Sequence, residues 1–280
     1  MIERSVKMIK TEPEIKRAQA GRDAVANLIL QGKPPTIRAR EKEAQALNWL
    51  YRWGWSTTKI IDGLSGVIGR GYANKLVKKG LMIKSKTTHA NITSILTLTE
   101  MGVERAMKTI INPYDYEFHP NKYRTEHFRH YLISQQITQA ALLNGLISSF
   151  EPESDYIKAS AKYEKRPDII FKYAKSKDFF SEKRAAVEVE LNGKYGRKLD
   201  LFIYSCLKLL GTGEVDFIYI LTTLPSIEKN YTNAFKVGKK VGIWRKNSSD
   251  NYKIVDYYEI EEEDVKDKII IDLIDENDYA

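Results

Sequence analysis

The chain has 280 residues, 42% of them hydrophobic, with 45 Lys and Arg against 37 Asp and Glu and a net charge of +8. That is room for two ordinary domains with packed cores. No apolar run approaches the length of a membrane span, the charged N-terminus has no signal-peptide core, and the single Cys206 makes no internal disulfide, so no membrane insertion is expected and a cytoplasmic, reducing location is the default.

Charge is unevenly spread. Residues 259–280 hold ten acidic and two basic side chains, whereas residues 1–110 hold 20 basic and 9 acidic ones. A basic body with an acidic end points to a polyanionic partner. Residues 1–36 read as a basic N-terminal arm, with a helix over Ala18 to Leu30 closed by Gly32 and Pro34-Pro35.

Residues 37–110 read as a winged helix-turn-helix. Glu41 to Trp53 is amphipathic and stopped by Gly54; Ser56 is the expected N-cap of a second helix, Thr57 to Leu64; Ser65-Gly66 is a turn; Val67 to Lys79 is a third helix ended by Gly80. Met82 to Lys86 and Thr93 to Leu98 are β-prone runs around a polar tip, which gives a hairpin or wing. Thr97-Leu98-Thr99-Glu100-Met101-Gly102 then opens another helix through a threonine N-cap, with a Leu-Thr-x-x-Gly step after the hairpin. This order resembles that of many bacterial regulators.

In such a domain the third helix enters the major groove of double-stranded DNA. Its polar residues are Arg70, Tyr72, Asn74, Lys75, Lys78 and Lys79. Arg70 and Asn74 lie one turn apart and suit guanine and adenine edges. Lys75, Lys78 and Lys79 suit phosphates, as do Lys84 and Lys86 on the hairpin.

Residues 111–125 read as a connector with two prolines and three tyrosines. Residues 126–150 read as a long amphipathic helix opening on Glu126, His127, Arg129 and His130, with Phe128, Leu132, Ile133, Ile137 and Ala141 on its apolar stripe. Asp155 to Ser160 is the first expected strand of the second domain.

A second strand follows Arg166-Pro167-Asp168, and a third carries Val187-Glu188-Val189-Glu190-Leu191. Its period of two puts Glu188 and Glu190 on one face and the apolar residues on the other. If the two strands pair as a hairpin, Asp168 approaches that acidic face. Three converging carboxylates repel one another unless one is protonated or a cation sits among them. Oxygen ligands with no cysteine beside them favour Mg2+ or Mn2+. Lys194 and Lys198 follow, one turn apart if a helix starts there, and either supplies a positive partner for a phosphate oxygen.

Pro-Asp, then Glu-x-Glu, then a nearby lysine resembles the PD-(D/E)xK nuclease superfamily. Arg166-Pro167-Asp168 with Val187 to Leu191 and Lys194 is similar to the replication-relaxation family, which includes MobC-type relaxases of mobilisable plasmids. One position departs: the usual lysine of the third motif position is Glu190. The resemblance implies an α/β core, similar to that of restriction endonucleases, over 126–260. Asp168 and Glu188 then serve as metal ligands, Glu190 as a ligand or water-orienting base, and Lys194 or Lys198 stabilises the charged transition state. Glu126 is the first-helix acid that completes the metal site, with Glu151 and Glu153 as rivals.

The remaining elements are a helix over Lys194 to Leu210, a buried strand Val215 to Thr222, a helix Ser226 to Phe235, and strands Val241 to Arg245 and Tyr252 to Ile260. Residues 261–280 read as an acidic C-terminal tail that docks as a helix or covers a basic groove. The expected whole is an α+β protein of two domains. Its expected function is a sequence-directed, metal-dependent DNA nickase at a plasmid transfer origin, acting with an accessory relaxosome protein and a coupling protein. A non-catalytic DNA-binding protein on a relic nuclease fold, and a double-strand endonuclease, are the competing readings.

Overall fold

A computed structural model describes residues 34–66, 71–110, 113–118, 127–155, 166–174, 182–246 and 251–275. Arg70, Glu126, the predicted helix of the N-terminal arm and the predicted strand past Asp155 lie outside these residues. The protein is mixed α+β and divides into two compact units after Leu146.

The N-terminal unit runs α1 (Pro35–Trp53), α2 (Thr58–Leu64), α3 (Tyr72–Lys78), β1 (Met82–His89), β2 (Ile92–Leu98), α4 (Glu100–Met107) and α5 (Phe128–Leu143). Pro35 begins α1 where it was expected to mark a break. Its missing N–H is one that a first helical turn leaves unbonded anyway. Gly54, at φ 79°, ends the helix. Thr57, not Ser56, caps α2, accepting from Ile60 N at 3.4 Å. Ser56 is buried and pairs its backbone with Leu96 at 3.0 and 2.8 Å. The start of α3 is held by Asp62, a buried carboxylate whose Oδ1 accepts from Ala73 N at 2.7 Å.

The Leu-Thr-x-x-Gly step has a steric reason. Thr99 accepts from Gly102 N at 3.0 Å and donates its hydroxyl proton to Gly80 O at 2.6 Å. A Cβ on Gly102 would lie 2.1 Å from Leu81 O. The helix therefore enters directly against the backbone that leaves α3, and only glycine permits that approach.

The connector is strapped to this same unit. Tyr116 donates to Gly54 O at 2.6 Å and accepts from Leu98 N at 3.0 Å. Tyr51 and Tyr114 bond each other's backbones and pack their rings 4.8 Å apart.

Helix α5 corrects the expected domain boundary at 125/126. Gln135, with no exposed surface, accepts from Trp49 Nε1 at 3.0 Å and Ser56 Oγ at 2.7 Å, and donates to Trp55 O at 3.0 Å. Gln139 donates to Ile60 O at 2.6 Å, and Phe128 packs with Trp55, Ile92 and Ile95. The helix ends at Leu143, not residue 150, and belongs to the N-terminal unit.

The second unit is built on a five-stranded sheet in the order β3 (Ser149–Pro152), β4 (Ile169–Tyr173), β5 (Lys183–Glu190), β6 (Phe217–Thr222), β9 (Ile269–Leu273). β4 runs antiparallel to both β3 and β5; β6 runs parallel to β5, and β9 parallel to β6. The first strand lies at 149–152, ahead of the predicted Asp155 to Ser160. Helix α6 (Arg197–Gly211) is the crossover between β5 and β6, and α7 (Pro225–Ala234) follows β6. Ile170, Ala186, Ile218 and Ile220 pack against Phe202, Cys206, Ile227 and Tyr231 of these helices.

Strands β7 (Lys240–Lys246) and β8 (Tyr252–Glu259) form a separate hairpin. It is fixed to α6 by Trp244 Nε1 donating to Asp200 at 2.8 Å. The acidic end does more than trail. After a short helix, α8 (Glu262–Val265), Ile269–Leu273 enters the sheet as its last strand. An unbroken Ile-Ile-Ile run suits a parallel strand better than the helix or groove cover expected for it. No helix among the described residues is long and apolar enough to cross a membrane.

Candidate functional site

The sequence-predicted site residues that the structure describes fall in two sets, one on α3 and the hairpin and one on β4, β5 and the segment after it. On α3, Ala73 and Leu76 face inward, while Asn74, Lys75 and Lys78 are exposed. The alternation follows from the helical period, which puts 73 and 76 on the buried stripe. Lys84 and Lys86, two apart on β1, are exposed on one face of the hairpin. Tyr72 is half-buried, and burial together with Glu43 pushes its phenol up to about 12.

Lys79 departs from the expected phosphate role. Its Nζ lies 2.6 Å from Glu43 Oε2, and Arg105 bonds the other oxygen of the same carboxylate. Burial would raise the Glu43 pKa, but the hydrogen bonds from Lys79 and Arg105 outweigh it and hold it below the ordinary carboxylate value. Lys79 thus joins α1, α3 and α4.

The second set lies on β4 and β5. Ile169 pairs with Val187 in antiparallel register, so the next position outward sets Asp168 opposite Glu188. Asp168 is locked there: its Oδ2 accepts from Val189 N at 2.8 Å, and its carbonyl accepts from Glu153 N at 2.9 Å. Strand β5 is the middle strand of five. Glu188 and Glu190, only 4% and 6% exposed, share the face of Ala186, which is covered by α6 and α7. Period two assigned the two glutamates to one face correctly. Both faces of the strand are covered, since residues 185–190 are all buried.

Glu190 does not join the other two carboxylates. Its Oε1 is ion-paired with Lys194 Nζ, and its Oε2 accepts from Tyr231 Oη at 3.0 Å. Burial, and then the neighbouring Glu190 carboxylate, push the Tyr231 phenol well above its ordinary value, so it stays a proton donor. The expected convergence of three acids is therefore corrected. Among the described residues no three His, Cys, Asp or Glu side chains gather as a metal-holding group. The physical reason is local: an ammonium and a phenol within reach satisfy Glu190 without a metal ion.

Lys194 lies in the loop before α6, which starts at Arg197 and not at Lys194 as expected. From there it reaches back to the strand position that Glu190 occupies. Lys198 is exposed on the first turn of α6. Arg166 is exposed, Tyr195 is 66% exposed, and Arg197 lies 4.1 Å over the ring of Tyr252. Glu151 is neutralised by Lys172 and by Arg184 at 3.3 Å, which removes it as a source of a further metal ligand.

Tyr231, Asn230 and Phe202 around Lys194 were not singled out from sequence. They lie on helices α6 and α7, and no local spacing links them to residues 190–194. The remaining pair, Asp168 and Glu188, offers hard oxygen donors, and Mg2+ is commonly held by one or two carboxylates together with waters and substrate phosphate.

Comparison with family models, with curated proteins and with solved structures finds no match to this chain.

Proposed function

We propose that this chain is a sequence-directed, divalent-metal-dependent DNA nickase, whose N-terminal unit grips duplex DNA as a winged helix and whose C-terminal unit cuts one strand on a PD-(D/E)xK-like core. The observation that carries this reading is the register that sets Asp168 opposite Glu188 on β4 and β5, with the Lys194 ammonium ion-paired to Glu190, the residue of the third motif position. The element order supports it: β3, β4, β5, the helix α6 and β6 follow one another as the strand-strand-strand-helix-strand part of a PD-(D/E)xK-like core would.

In this reading Asp168 and Glu188 hold Mg2+ or Mn2+, which when bound supplies Lewis acidity and an activated water. Lys194 meets the charge that builds on the phosphate oxygens. Asn74, Lys75 and Lys78 enter the major groove, with Asn74 on base edges and the lysines on phosphates, while Lys84 and Lys86 hold the flanking backbone. The similarity to the replication-relaxation family extends the substrate to a plasmid transfer origin, and the partners to an accessory relaxosome protein and a coupling protein.

One observation favours a second reading. Glu190 is fully engaged within the protein, which is also what a non-catalytic DNA-binding protein on a relic nuclease fold would retain. The two separate on supercoiled plasmid carrying the cognate origin, incubated with Mg2+ or Mn2+. The nickase yields relaxed circles, and Asp168→Asn and Glu188→Gln abolish them while gel-shift binding persists. Binding without relaxation by the unaltered protein establishes the non-catalytic reading. Linear product establishes a double-strand cutter.

A further inference from the structure

We infer that Tyr231, with Asn230 beside it, is a positioning residue that fixes Lys194 just past the C-terminal end of β5. Lys194 is held at four points. Its backbone N–H donates to Tyr231 Oη at 3.3 Å, and its carbonyl accepts from Asn230 Nδ2 at 3.2 Å. Its ammonium is paired with Glu190 and lies 4.5 Å from the centre of the Phe202 ring. Tyr231 serves both ends, since the same hydroxyl donates to Glu190 Oε2 at 3.0 Å. The phenol is itself immobilised: it has no exposed surface, and its ring stacks on Phe202 at 5.4 Å.

The exposures give this network a direction. The Glu190 side chain is 7% exposed and that of Lys194 is 34% exposed. The carboxylate is therefore the buried anchor, and the ammonium is the end that a substrate phosphate can reach. A lysine has a flexible four-carbon stem, so a loop lysine loses considerable rotamer entropy when fixed. Two adjacent residues of α7 and a ring of α6 provide that fixation. The usual arrangement would place a lysine on the strand itself. Here a glutamate on the strand, a loop lysine and a tyrosine from the next helix deliver the ammonium to the same position.

This inference rests on the reading of Lys194 as the group that meets the scissile phosphate, and two readouts on the full chain keep the two apart. The first is pulse acetylation with acetic anhydride, followed by mass spectrometry of Lys194 against Lys198. In the unaltered protein Lys194 is protected relative to Lys198, and Tyr231→Phe, which keeps the ring and removes both hydrogen bonds, lowers that protection several-fold. The second is nicking under saturating Mg2+. Tyr231→Phe lowers kcat by about 10–100-fold, the range for residues that orient a functional group, with KM for DNA changed less than about two-fold. A fold defect would instead lower the active fraction and DNA binding together. Asn230→Ala, at a half-buried site, shifts both readouts in the same direction by less and stands in if Tyr231→Phe does not fold. Unchanged protection and unchanged kcat in both variants would overturn the inference. Loss of protection in a protein that never nicks would leave Tyr231 as the lysine's anchor and defeat the nickase reading alone.

Discussion

Gln135→Leu is the sharpest test of which unit owns helix α5. Gln135 is completely buried and bonds Trp49 Nε1, Ser56 Oγ and Trp55 O. Leucine fills a similar volume but leaves two donors and one acceptor in the interior with nothing opposite. Each such group costs about 1–3 kcal/mol. The Ser56 hydroxyl can turn elsewhere, and a buried leucine returns about 2 kcal/mol of apolar burial. The net expected loss is roughly 2 kcal/mol.

Tryptophan fluorescence assigns that loss to a unit. Three of the four tryptophans, Trp49, Trp53 and Trp55, lie in the N-terminal unit, and Trp244 lies in the other. In a Trp244→Phe background all tryptophan emission reports the N-terminal unit. With a urea m-value of about 1.5 kcal/mol/M, the substitution lowers the midpoint by about 1.3 M. An unchanged midpoint would refute the assignment and return the helix to the C-terminal unit.

Two further outcomes follow from single contacts. Gly102→Ala places a Cβ 2.1 Å from a backbone oxygen that has no side-chain freedom to yield. The strain exceeds the gain of about 1 kcal/mol in helix propensity, and thermal unfolding should show a loss of about 1–3 kcal/mol. Burial, with help from Glu228, raises the pKa of Asp272 on β9. A carboxyl whose folded pKa is raised favours the folded state only while protonated, so its contribution is complete below the unfolded value and is lost as pH rises through the folded one. Asp272→Asn therefore raises Tm near neutral pH and leaves it nearly unchanged at about pH 3; equal Tm values at both pH values would contradict this.

Local order was largely legible in the amino-acid sequence. Apolar spacing, Gly54, Gly80 and the Thr99 cap marked the helices and hairpin of the first unit in order. Alternation over 187–190 placed Glu188 and Glu190 on one face, because side-chain direction in a strand depends only on parity. The approach of Asp168 to that face followed once the two strands were taken as a hairpin, but the register that sets it opposite Glu188 came from the folded sheet.

Tertiary contacts decided the rest. The apolar stripe of α5 shows that one face is buried but not against what. Its buried polar residue Gln135 finds its partners about 80–90 positions earlier in the chain. Glu190 was grouped with the other acids because a strand's period records direction and says nothing of what arrives from across the sheet. Lys194 and Tyr231 arrive there, four and 41 residues later. The acidic end likewise became a strand because β6 offered an open edge in parallel register to an isoleucine run. A residue's own spacing sets its orientation; the groups that neutralise, cap or cover it come from elsewhere in the chain, and only packing brings them together.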